Sequence, residues 1–439
     1  MSAIRASLLC VLLCLTGCGG LSEMMGDVDN SIPPTPLISF FETAKVERVW
    51  STKAGSGTDE LYIKLTPALL DGRVFIADTY GEVAALDASS GRRIWGKDVK
   101  LPITGGPGAD FSMVLLGSSE GDVVSLMPDT GEELWRARVS SEILASPREG
   151  ENVVVVRTID GKLFALDATS GERLWVYDRT VPALTLRGTS TPIIVGDSVI
   201  AGFDGGRVTA LDRDTGKLIW ETRVAVSSGR SELERMVDID AEPVIYLDAM
   251  YIATFQSNVA SLDLQTGSIL WQRDISSHSE LGVDASHIYV SDAEGNVWAL
   301  DRYSGQSVWK QEKLQFRKPT GPAVIGDKVV VGDVEGYLHW IDRETGDFVA
   351  RTQVAKSPIL VKPTVVDDVL YAYASNGTLA SYTYTDLDAS EIPVPEPQTT
   401  EATTATETVP AGSEQDASLL EQIGDIFTEH PGDDDSLSD

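Results

Sequence analysis

Short runs of apolar residues alternate with turns rich in Gly and Asp along most of the chain. In the stretch 322–350, apolar runs at 322–325, 328–332 and 337–341 are separated by Gly-containing turns, and a fourth run opens at Phe348. The run 328–332 is rich in β-branched residues, which is typical of a strand buried on both faces. Asp and Gly suit tight turns, because Asp accepts hydrogen bonds from nearby backbone N–H groups and Gly adopts positive φ. Each such stretch therefore predicts four antiparallel strands.

A phrase that ends in Trp recurs down the chain. One copy of it reads Ala85-Leu86-Asp87-x-x-Ser90-Gly91-x-x-Ile94-Trp95. Versions of the phrase end at Trp95, Trp135, Trp175, Trp220, Trp271 and Trp309. The successive spacings are 40, 40, 45, 51 and 38 residues. A period of about 40 residues, built from short apolar strands and Gly turns, indicates a β-propeller with one blade per repeat.

The number of blades follows from the outer-strand position that Trp occupies in the phrase. That position is held in turn by Trp50, Trp95, Trp135, Trp175, Trp220, Trp271, Trp309 and Ala350. The first position lacks three preceding strands, whereas the last three strands of the repeat region lack a fourth. The simplest closure pairs residues 46–52 with the last blade, which leaves no open sheet edge between the chain ends. The sequence thus predicts an all-β, eight-bladed propeller over residues 44–385, with Trp rings packed between blades.

The N-terminal segment predicts processing and anchoring. Residues 1–17 resemble a lipoprotein signal peptide: an apolar core too short to span a bilayer is followed by Leu15-Thr16-Gly17-Cys18, which resembles a bacterial lipobox. Cys18 is then the lipidation site, and Gly19 is compatible with an outer-membrane destination. An ordinary secretory signal with an incidental Cys is the alternative. Residues 18–43 are polar and Pro-containing, and are interpreted as a lipidated tether.

Charge narrows the function classes. The chain has 439 residues and a formal net charge of −32, which argues against binding nucleic acid or anionic lipid through a basic patch. Residues 386–439 contain 15 Asp or Glu and no Lys or Arg, and are predicted to form a disordered acidic tail. Within that tail, residues 417–430 have apolar positions at helical spacing. This stretch is either a transient helix or a docking helix for a partner groove.

Two connectors between blades are longer than the others. The distance from Trp to the Pro that opens the next blade is 12 residues after Trp95 and Trp135 and 13 after Trp309, but 17 after Trp175 and 23 after Trp220. Long loops on a rigid scaffold are where function usually resides. The two connectors contain the stretches 184–188, 230–236 and 238–240.

The chemistry of these connectors allows two interpretations. Arg187 lies beside Leu184 and Leu186, and an Arg next to exposed Leu residues suits a protein-binding hot spot. Alternatively, Arg187 pairs with Asp238 or Asp240 and only stiffens the connectors. The pattern alone leaves both interpretations open.

No catalytic or metal site is predicted. His278, His287, His339 and His430 show no metal-ligand spacing, and no nucleophile-elbow motif is present. Residues 105–108 are glycine-rich and are interpreted as a loop between blades, without the Lys-Ser or Lys-Thr of a phosphate-binding loop. Removal of residues 1–17 would leave Cys18 alone, so neither a disulfide nor a Cys-based metal site is expected.

The Trp phrase resembles the tryptophan-docking motif of pyrroloquinoline-quinone-type propellers. One family with this motif is the quinoprotein dehydrogenases, which hold the quinone against an adjacent-Cys disulfide beside a calcium ion. The mature chain has no Cys pair, so this resemblance gives no reason to expect the cofactor. A quinoprotein-like oxidoreductase remains an alternative function. A carbohydrate-binding propeller is another, although no aromatic cluster beyond the docking Trp residues supports it.

Residues 15–385 resemble more closely the family of the outer-membrane protein assembly factor BamB. The stretches that carry this resemblance are 184–188, 231–235, 238–240 and 332–342, together with the lipobox and the blade count. The resemblance implies a non-enzymatic scaffold of the β-barrel assembly (BAM) complex, lipid-anchored at the periplasmic face of the outer membrane of a Gram-negative bacterium. It also implies binding to the POTRA domains of the barrel subunit BamA, with contact to unfolded barrel precursors as a further possibility.

The same resemblance gives the positions of the partner surface. In the family this surface is formed by a Leu-Thr-Leu-Arg connector and an Asp-x-Asp connector. The matching positions in this chain are Leu184, Leu186, Arg187, Asp238 and Asp240. The acidic tail after residue 385 departs from the family pattern, which normally ends at the last blade.

Overall fold

The computed structural model describes residues 32–58, 61–179, 190–226, 231, 236–388 and 390–392. The predicted signal peptide, Cys18, the possible helix 417–430 and most of the acidic tail lie outside these residues. The described chain forms eight sheets, each of four antiparallel strands, and the strand order in each sheet is a simple meander. It contains no helix long and apolar enough to cross a membrane. The eight-bladed propeller predicted from the repeat is therefore confirmed.

The blades follow one another along the chain, and seven of them are continuous in sequence. The first two blades consist of β2 Ala68–Leu70, β3 Arg73–Ala77, β4 Glu82–Asp87 and β5 Arg93–Asp98, then β6 Ile103–Ala109, β7 Val114–Ser118, β8 Asp122–Leu126 and β9 Glu133–Arg138. The next two consist of β10 Arg148–Gly150, β11 Val153–Arg157, β12 Leu163–Asp167 and β13 Arg173–Tyr177, then β14 Ile193–Val195, β15 Ser198–Phe203, β16 Arg207–Asp212 and β17 Leu218–Arg223.

The fifth and sixth blades consist of β18 Val244–Tyr246, β19 Ala249–Ala253, β20 Val259–Asp263 and β21 Ile269–Arg273, then β22 Gly282–Val283, β23 His287–Ser291, β24 Val297–Asp301 and β25 Ser307–Gln311. The seventh consists of β26 Ala323–Ile325, β27 Lys328–Gly332, β28 Tyr337–Asp342 and β29 Phe348–Gln353. The eighth combines β30 Thr364–Val366, β31 Val369–Tyr373 and β32 Thr378–Asp386 with β1 Ala44–Lys53.

The N-terminal strand closes the ring, as predicted. β1 pairs antiparallel with β32 from Ala44 opposite Asp386 to Lys53 opposite Thr378, with a bulge between Arg48 and Trp50. The outer strand of the eighth blade is thus supplied by the opposite end of the chain. This arrangement ties the two ends of the propeller together without leaving an unpaired edge inside the ring.

The hydrophobic core lies between neighbouring blades. One buried cluster, for example, joins Phe75 of the first blade to Leu116 and Val124 of the second. The second strand of a blade is buried on both faces: every residue of β27 is buried, including Lys328. Each sheet therefore buries apolar side chains against the sheet before it and the sheet after it, which explains why its strands are continuous apolar runs.

The repeated Trp residues connect successive blades. The ring of Trp135, in the second blade, packs against Gly171 in the third, where an added Cβ would lie 2.6 Å from ring atom Cε3. Its Nε1–H donates to the carbonyl oxygen of Ala168 at 2.7 Å. The same donation to the next blade is made by Trp50, Trp95, Trp175, Trp271 and Trp309. The predicted role of these rings between blades is confirmed.

The glycine-rich stretch 105–108 is not a loop, and that interpretation is corrected. It lies inside β6, the innermost strand of the second blade. An added Cβ at Gly105 would lie 2.7 Å from the carbonyl oxygen of Ala145, and one at Gly108 would lie 2.1 Å from that of Pro147. Glycine is required because the backbone leading to the third blade approaches the strand too closely for a side chain.

The described part of the segment interpreted as a tether lies along the seventh blade. We call residues 32–43 the strap. The backbone N–H of Thr35 donates to Gln315 O at 3.3 Å, and Arg351 donates to Ile38 O at 2.9 Å. The ring of Phe40 packs on Phe348 with centroids 5.6 Å apart. A polar and Pro-rich composition suggests a free linker, but these apolar and backbone contacts give the strap a fixed course.

Candidate functional site

One face of the ring carries both the connectors between blades and the turns between the second and third strands of each blade. This follows from the meander, since these two kinds of segment begin or end at the same end of the strands. Backbone hydrogen bonds join them: Val99 donates to Gly81 O, Val139 to Gly121 O and Val224 to Gly206 O. We call this the connector face. The two long connectors that the sequence singles out therefore lie on the same face.

The structure places only part of the predicted partner surface. Leu184, Leu186 and Arg187 lie outside the described residues, as do residues 232–235 of the second connector. Asp238 and Asp240 are described, and they lie near the buried Arg157. Whether Asp238 and Asp240 pair with Arg187 or contact a partner protein thus stays a prediction.

Asp238 is buried, with 1% of its surface exposed. Its Oδ1 accepts a hydrogen bond from the backbone N–H of Gly205 at 3.2 Å. The neighbouring Ile239 is fully buried, and Gly202 leaves the room for it: a Cβ there would lie 2.4 Å from Ile239 Cγ2. These contacts fix the end of the second long connector against the fourth blade.

A buried charge cluster lies beneath this connector. Arg157 is 3% exposed, donates to Ser190 O and lies 3.3 Å from the carboxylate of Asp204. Burial lowers the pKa of Arg157, whereas the nearby carboxylates of Asp204, Asp240 and Asp238 raise it. The cluster thus contacts Ser190, at the end of the first long connector, and lies close to Asp238 and Asp240 at the end of the second.

Asp240 has different surroundings from Asp238. Its side chain lies in the wall of a cavity on the connector face. Burial raises its pKa to about 6, and the charge of Lys64 acts in the opposite direction. Of the two described aspartates, Asp240 is thus the one that borders open space.

The cavity has a volume of about 360 Å³ and lies at the mouth of the central channel. Its walls come from the connectors that precede the first, fifth, sixth, seventh and eighth blades, and from turns of the fifth and seventh blades. The side chains that matter most for its chemistry are Tyr62, Lys64, Phe255, Lys318, Leu360 and Lys362. No sequence motif marks the cavity, because each connector contributes only a few residues from a different part of the chain.

Three lysines of the cavity wall lack carboxylate partners. Lys64 donates to His278 O at 3.1 Å, Lys362 donates to Leu281 O at 2.6 Å, and Lys318 lies 5.7 Å from the ring centroid of Tyr62. Across the part of the chain that the structure describes, none of the three comes within 4 Å of an Asp or Glu oxygen. Burial lowers the pKa of Lys362, and Glu280 and Glu242 raise it.

The described residues offer no metal centre. No group of three or more His, Cys, Asp or Glu side chains among them is arranged to hold an ion. His339, the most buried of the described histidines, donates from Nε2 to Asp333 at 2.8 Å and accepts from Arg351 at Nδ1. Because Arg only donates, Nδ1 must be unprotonated, and the ring is neutral with its proton on Nε2. This histidine is a structural member of the seventh blade.

Comparison with known proteins places the fold in one family. The family model described as outer membrane protein assembly factor BamB matches residues 79–311 and 313–427. The outer membrane protein assembly factor BamB of Pseudomonas aeruginosa is 44% identical over 379 residues, which cover 86% of this chain and 98% of that protein. The Escherichia coli K12 protein of the same name is 35% identical over 379 residues, which cover 84% of this chain and 96% of that protein.

Solved structures agree with the sequence relatives. The crystal structure of BamB from Moraxella catarrhalis matches with a TM-score of 0.71 and 28% identity, over 77% of this chain and all of that one. Quinohemoprotein alcohol dehydrogenase from Comamonas testosteroni matches with a TM-score of 0.61 but only 14% identity, over 77% of this chain and 76% of that one. The second likeness shows a shared propeller fold and nothing about activity.

Proposed function

We propose, because the chain belongs to the family of the outer membrane protein assembly factor BamB, that it is a scaffold lipoprotein which assists the folding and insertion of outer-membrane β-barrel proteins. The observation that carries this proposal is the identity of 44% spread over 98% of the length of the Pseudomonas aeruginosa relative. The relatives' name describes assembly rather than a reaction, which supports a non-enzymatic role.

The partner of this scaffold is the barrel subunit BamA, through its POTRA domains, within the BAM complex. The surface for it is formed by Leu184, Leu186 and Arg187 of the first long connector, together with Asp240 of the second. An Arg flanked by Leu side chains gives a compact hot spot, in which apolar area and one directed charge act together. The buried charge cluster around Arg157 supports this proposal, since it contacts Ser190 at the end of the first connector and lies close to Asp238 and Asp240 of the second.

Asp238 acts in this proposal through the shape of the connector. At 1% exposure its carboxylate holds the backbone of Gly205 and has little surface for a partner. Its replacement would therefore disturb binding and folding together. Experiments on the partner surface are better carried out at Arg187 and Leu186.

Anchoring is proposed to occur at the outer membrane, on its periplasmic side, through acyl chains on Cys18. More than one acyl chain would give stable attachment. The strap contacts the propeller at Gln315, on the connector face. Anchor and partner surface would then be served by the same face of the ring.

Co-purification from membranes tests the assignment. Arg187→Glu and Leu186→Asp should each abolish recovery of BamA with the tagged chain, while the melting temperature stays that of the unchanged protein. Lys217→Glu is the control, because Lys217 is an exposed cation in a turn at the opposite end of the strands. If both connector variants recover BamA as well as the control does, the proposed partner surface is wrong.

A further inference from the structure

The cavity on the connector face has an excess of cationic side chains. Lys64, Lys318 and Lys362 line it, and their contacts in the described structure are carbonyl oxygens and one aromatic ring. Asp240 and Glu280 also border it, but more than 4 Å from each ammonium group. The cluster occurs in a chain with a net charge of −32. Ammonium groups held at a cavity without carboxylate partners attract an anion.

The rest of the wall is apolar. Tyr62 is 81% exposed at the rim, and Phe255, Val334, Ile359 and Leu360 form the sides. Binding sites commonly combine such a wall with a few polar groups that orient the ligand. The occupant that matches both features has an apolar body with an anionic group next to it.

The apolar part of the cavity is short. Further into the channel, the next space of about 90 Å³ is lined by Lys64, Arg148, Asp240, Glu242 and Glu280. There, Nη2 of Arg148 donates to both carboxylate oxygens of Glu242, at 3.0 and 2.9 Å. Glu242 and Glu280 border both this space and a third one, of about 440 Å³, so a long acyl chain that left the first cavity would have to pass buried carboxylates, at a high cost in desolvation. A single large side chain would stay within the apolar section.

Lys318 is held at the rim by a strained backbone. Phe316 and Lys318 have φ angles of 58° and 47°, which residues with side chains seldom adopt. Between them Arg317 is 1% exposed and donates to Asp333 and to Thr35 O of the strap. The buried guanidinium thus fixes the segment whose next residue points its ammonium group toward Tyr62. Strain kept in place by such contacts is a feature of binding sites.

We propose that this cavity binds a carboxylate that lies next to an aromatic or large aliphatic side chain in an extended polypeptide. The carboxylate meets Lys318 and Lys64, and the apolar side chain lies between Tyr62 and Leu360. This inference rests on the proposed function, since a factor for barrel assembly encounters unfolded polypeptide. It adds a second binding site, which shares only Asp240 with the residues proposed to hold BamA.

Peptide binding to the purified chain without residues 1–17 tests the inference. The probes are fluorescein-labelled nonapeptides with one shared sequence, and binding is followed by anisotropy. The first ends in Phe with a free carboxylate, the second is its amide, the third ends in Ser with a free carboxylate, and the fourth is an amide with an internal Glu-Phe pair. We expect the second and third to bind at least about tenfold more weakly than the first. We expect the fourth to bind more tightly than the second, because its Glu supplies the carboxylate that the second lacks.

Variants link the binding to the cavity. Lys318→Glu should weaken binding of the first peptide at least about tenfold, and added salt should weaken its binding to the unchanged protein progressively. Lys217→Glu, on the opposite face, should leave it unchanged. Equal affinity for acid and amide, or an unaltered affinity in Lys318→Glu, would overturn the proposal. Displacement of the peptide by dodecanoate at equal concentration would do so as well, because it would identify a lipid-type occupant.

The two proposals can fail independently. Lys318→Glu is expected to recover BamA from membranes normally, whereas Arg187→Glu is expected to bind the peptide normally. Loss of peptide discrimination with intact recovery of BamA would refute the cavity inference and leave the proposed function standing. Failure of both Arg187→Glu and Leu186→Asp to affect recovery would refute the partner surface, whatever the peptides do.

Discussion

Trp340 on β28 lies directly opposite Ala350 on β29. This pair has its large residue on the third strand, whereas the other seven blades have it on the outer strand. Elsewhere a small residue of the third strand faces the Trp of the outer strand. These pairs are Ala85–Trp95, Ser125–Trp135, Ala165–Trp175, Ala210–Trp220, Ser261–Trp271, Ala299–Trp309 and Ser381–Trp50. In the seventh blade the large and small partners have exchanged strands.

Ring closure explains the exchange. Each outer-strand Trp packs on a glycine in the turn between the third and fourth strands of the following blade, as Trp309 does on Gly346. The eighth blade has no such turn, because its fourth strand is β1 from the other end of the chain. Trp340 fills the space from the third strand instead and packs on Tyr384, with ring centroids 5.6 Å apart. Tyr384 in turn donates to Asp327 at 2.6 Å.

The glycine that supports each Trp gives the first prediction. Gly171 has a φ of +73°, and an added Cβ would lie 2.6 Å from Trp135. Gly72 has a nearly equal φ of +71° with nothing within 4 Å of that position, so it is a matched control. Both Ala variants bear about 1–2 kcal/mol of backbone strain. The free energy of unfolding should fall by about 1–3 kcal/mol more in Gly171→Ala than in Gly72→Ala, because the Trp ring must move.

Urea unfolding followed by Trp fluorescence measures the difference. The comparison depends on the gap between the two variants, since their strain is nearly the same. Equal losses for Gly171→Ala and Gly72→Ala would mean that contact between ring and glycine does not hold the blades together.

The second prediction concerns the exchanged pair. Trp340 is fully buried, so Trp340→Ala should lower the free energy of unfolding by about 3–5 kcal/mol. In a blade with the usual junction, Ala350→Trp would restore the lost volume. Here it should not, because the eighth blade lacks the glycine turn that would receive the ring. We expect the double variant to be no more stable than Trp340→Ala in urea unfolding, and a recovery of more than about 2 kcal/mol would contradict the closure argument.

The architecture was predictable from sequence because its signals are local and repeated. The phrase from Ala85 to Trp95 contains a strand end, a glycine turn and the docking Trp, and its period gives the blade count. Even the exchange at Trp340 has a trace, since that repeat has Trp-Ile-Asp where the others have Ala-Leu-Asp or a close variant. Its meaning depends on the missing turn, which becomes visible only in the closed ring.

The features that were missed depend on contacts between distant parts of the chain. Gly105 and Gly108 look like loop residues until the backbone of Ala145 and Pro147 is placed against them. Asp238 looks like an exposed loop carboxylate, but Gly205 and the charge of Arg157 lie beneath it. The cavity has no linear signature at all. In each case the deciding neighbour is supplied by another blade or another connector.

The third prediction is a pH dependence at Glu149. Burial, with a hydrogen bond to Asp110, raises the pKa of Glu149 to about 7, whereas the pKa of Asp110 is lowered. The folded chain therefore keeps a proton that the unfolded chain has released between about pH 5 and pH 7. Folding stability from this group falls as the pH rises through that window. Asp110 has no effect there, since its own transition occurs at lower pH.

Glu149→Gln removes the titration and keeps a side chain that can donate to Asp110. Between pH 5 and pH 8 the unchanged protein should lose about 1–2 °C more in melting temperature than the variant does. Subtracting the variant cancels other groups that titrate in the same window, such as Asp240. Identical pH profiles for the two proteins would show that Glu149 ionises normally in the folded state.

The fourth prediction links a buried ion pair to the strap. The side chain of Arg317 is 1% exposed and that of Asp333 is fully buried, with 2.7 Å between Nη2 and Oδ2. Arg317→Met should lower the free energy of unfolding by about 3–5 kcal/mol, because the carboxylate of Asp333 loses its buried cation. Arg138→Met is the control: Arg138 lies 2.9 Å from Asp122, but 63% of its side chain is exposed. Arg138→Met should lower the free energy of unfolding by less than about 1 kcal/mol.

Proteolysis of the same variants separates the strap from global stability. Arg317 donates to Thr35 O, so its removal should free the strap and expose Phe40 and Phe41 to chymotrypsin while the propeller remains folded. Adding Asp333→Asn leaves no buried charge unpaired, but it should recover only part of the lost stability, because the new amide N–H group faces the Nε2–H of His339. It should not restore protection of the strap. The reason is that the donor to Thr35 is still absent. If the double variant regains both stability and protection, the strap is held by contacts other than Arg317, with Phe40 on Phe348 the first to examine.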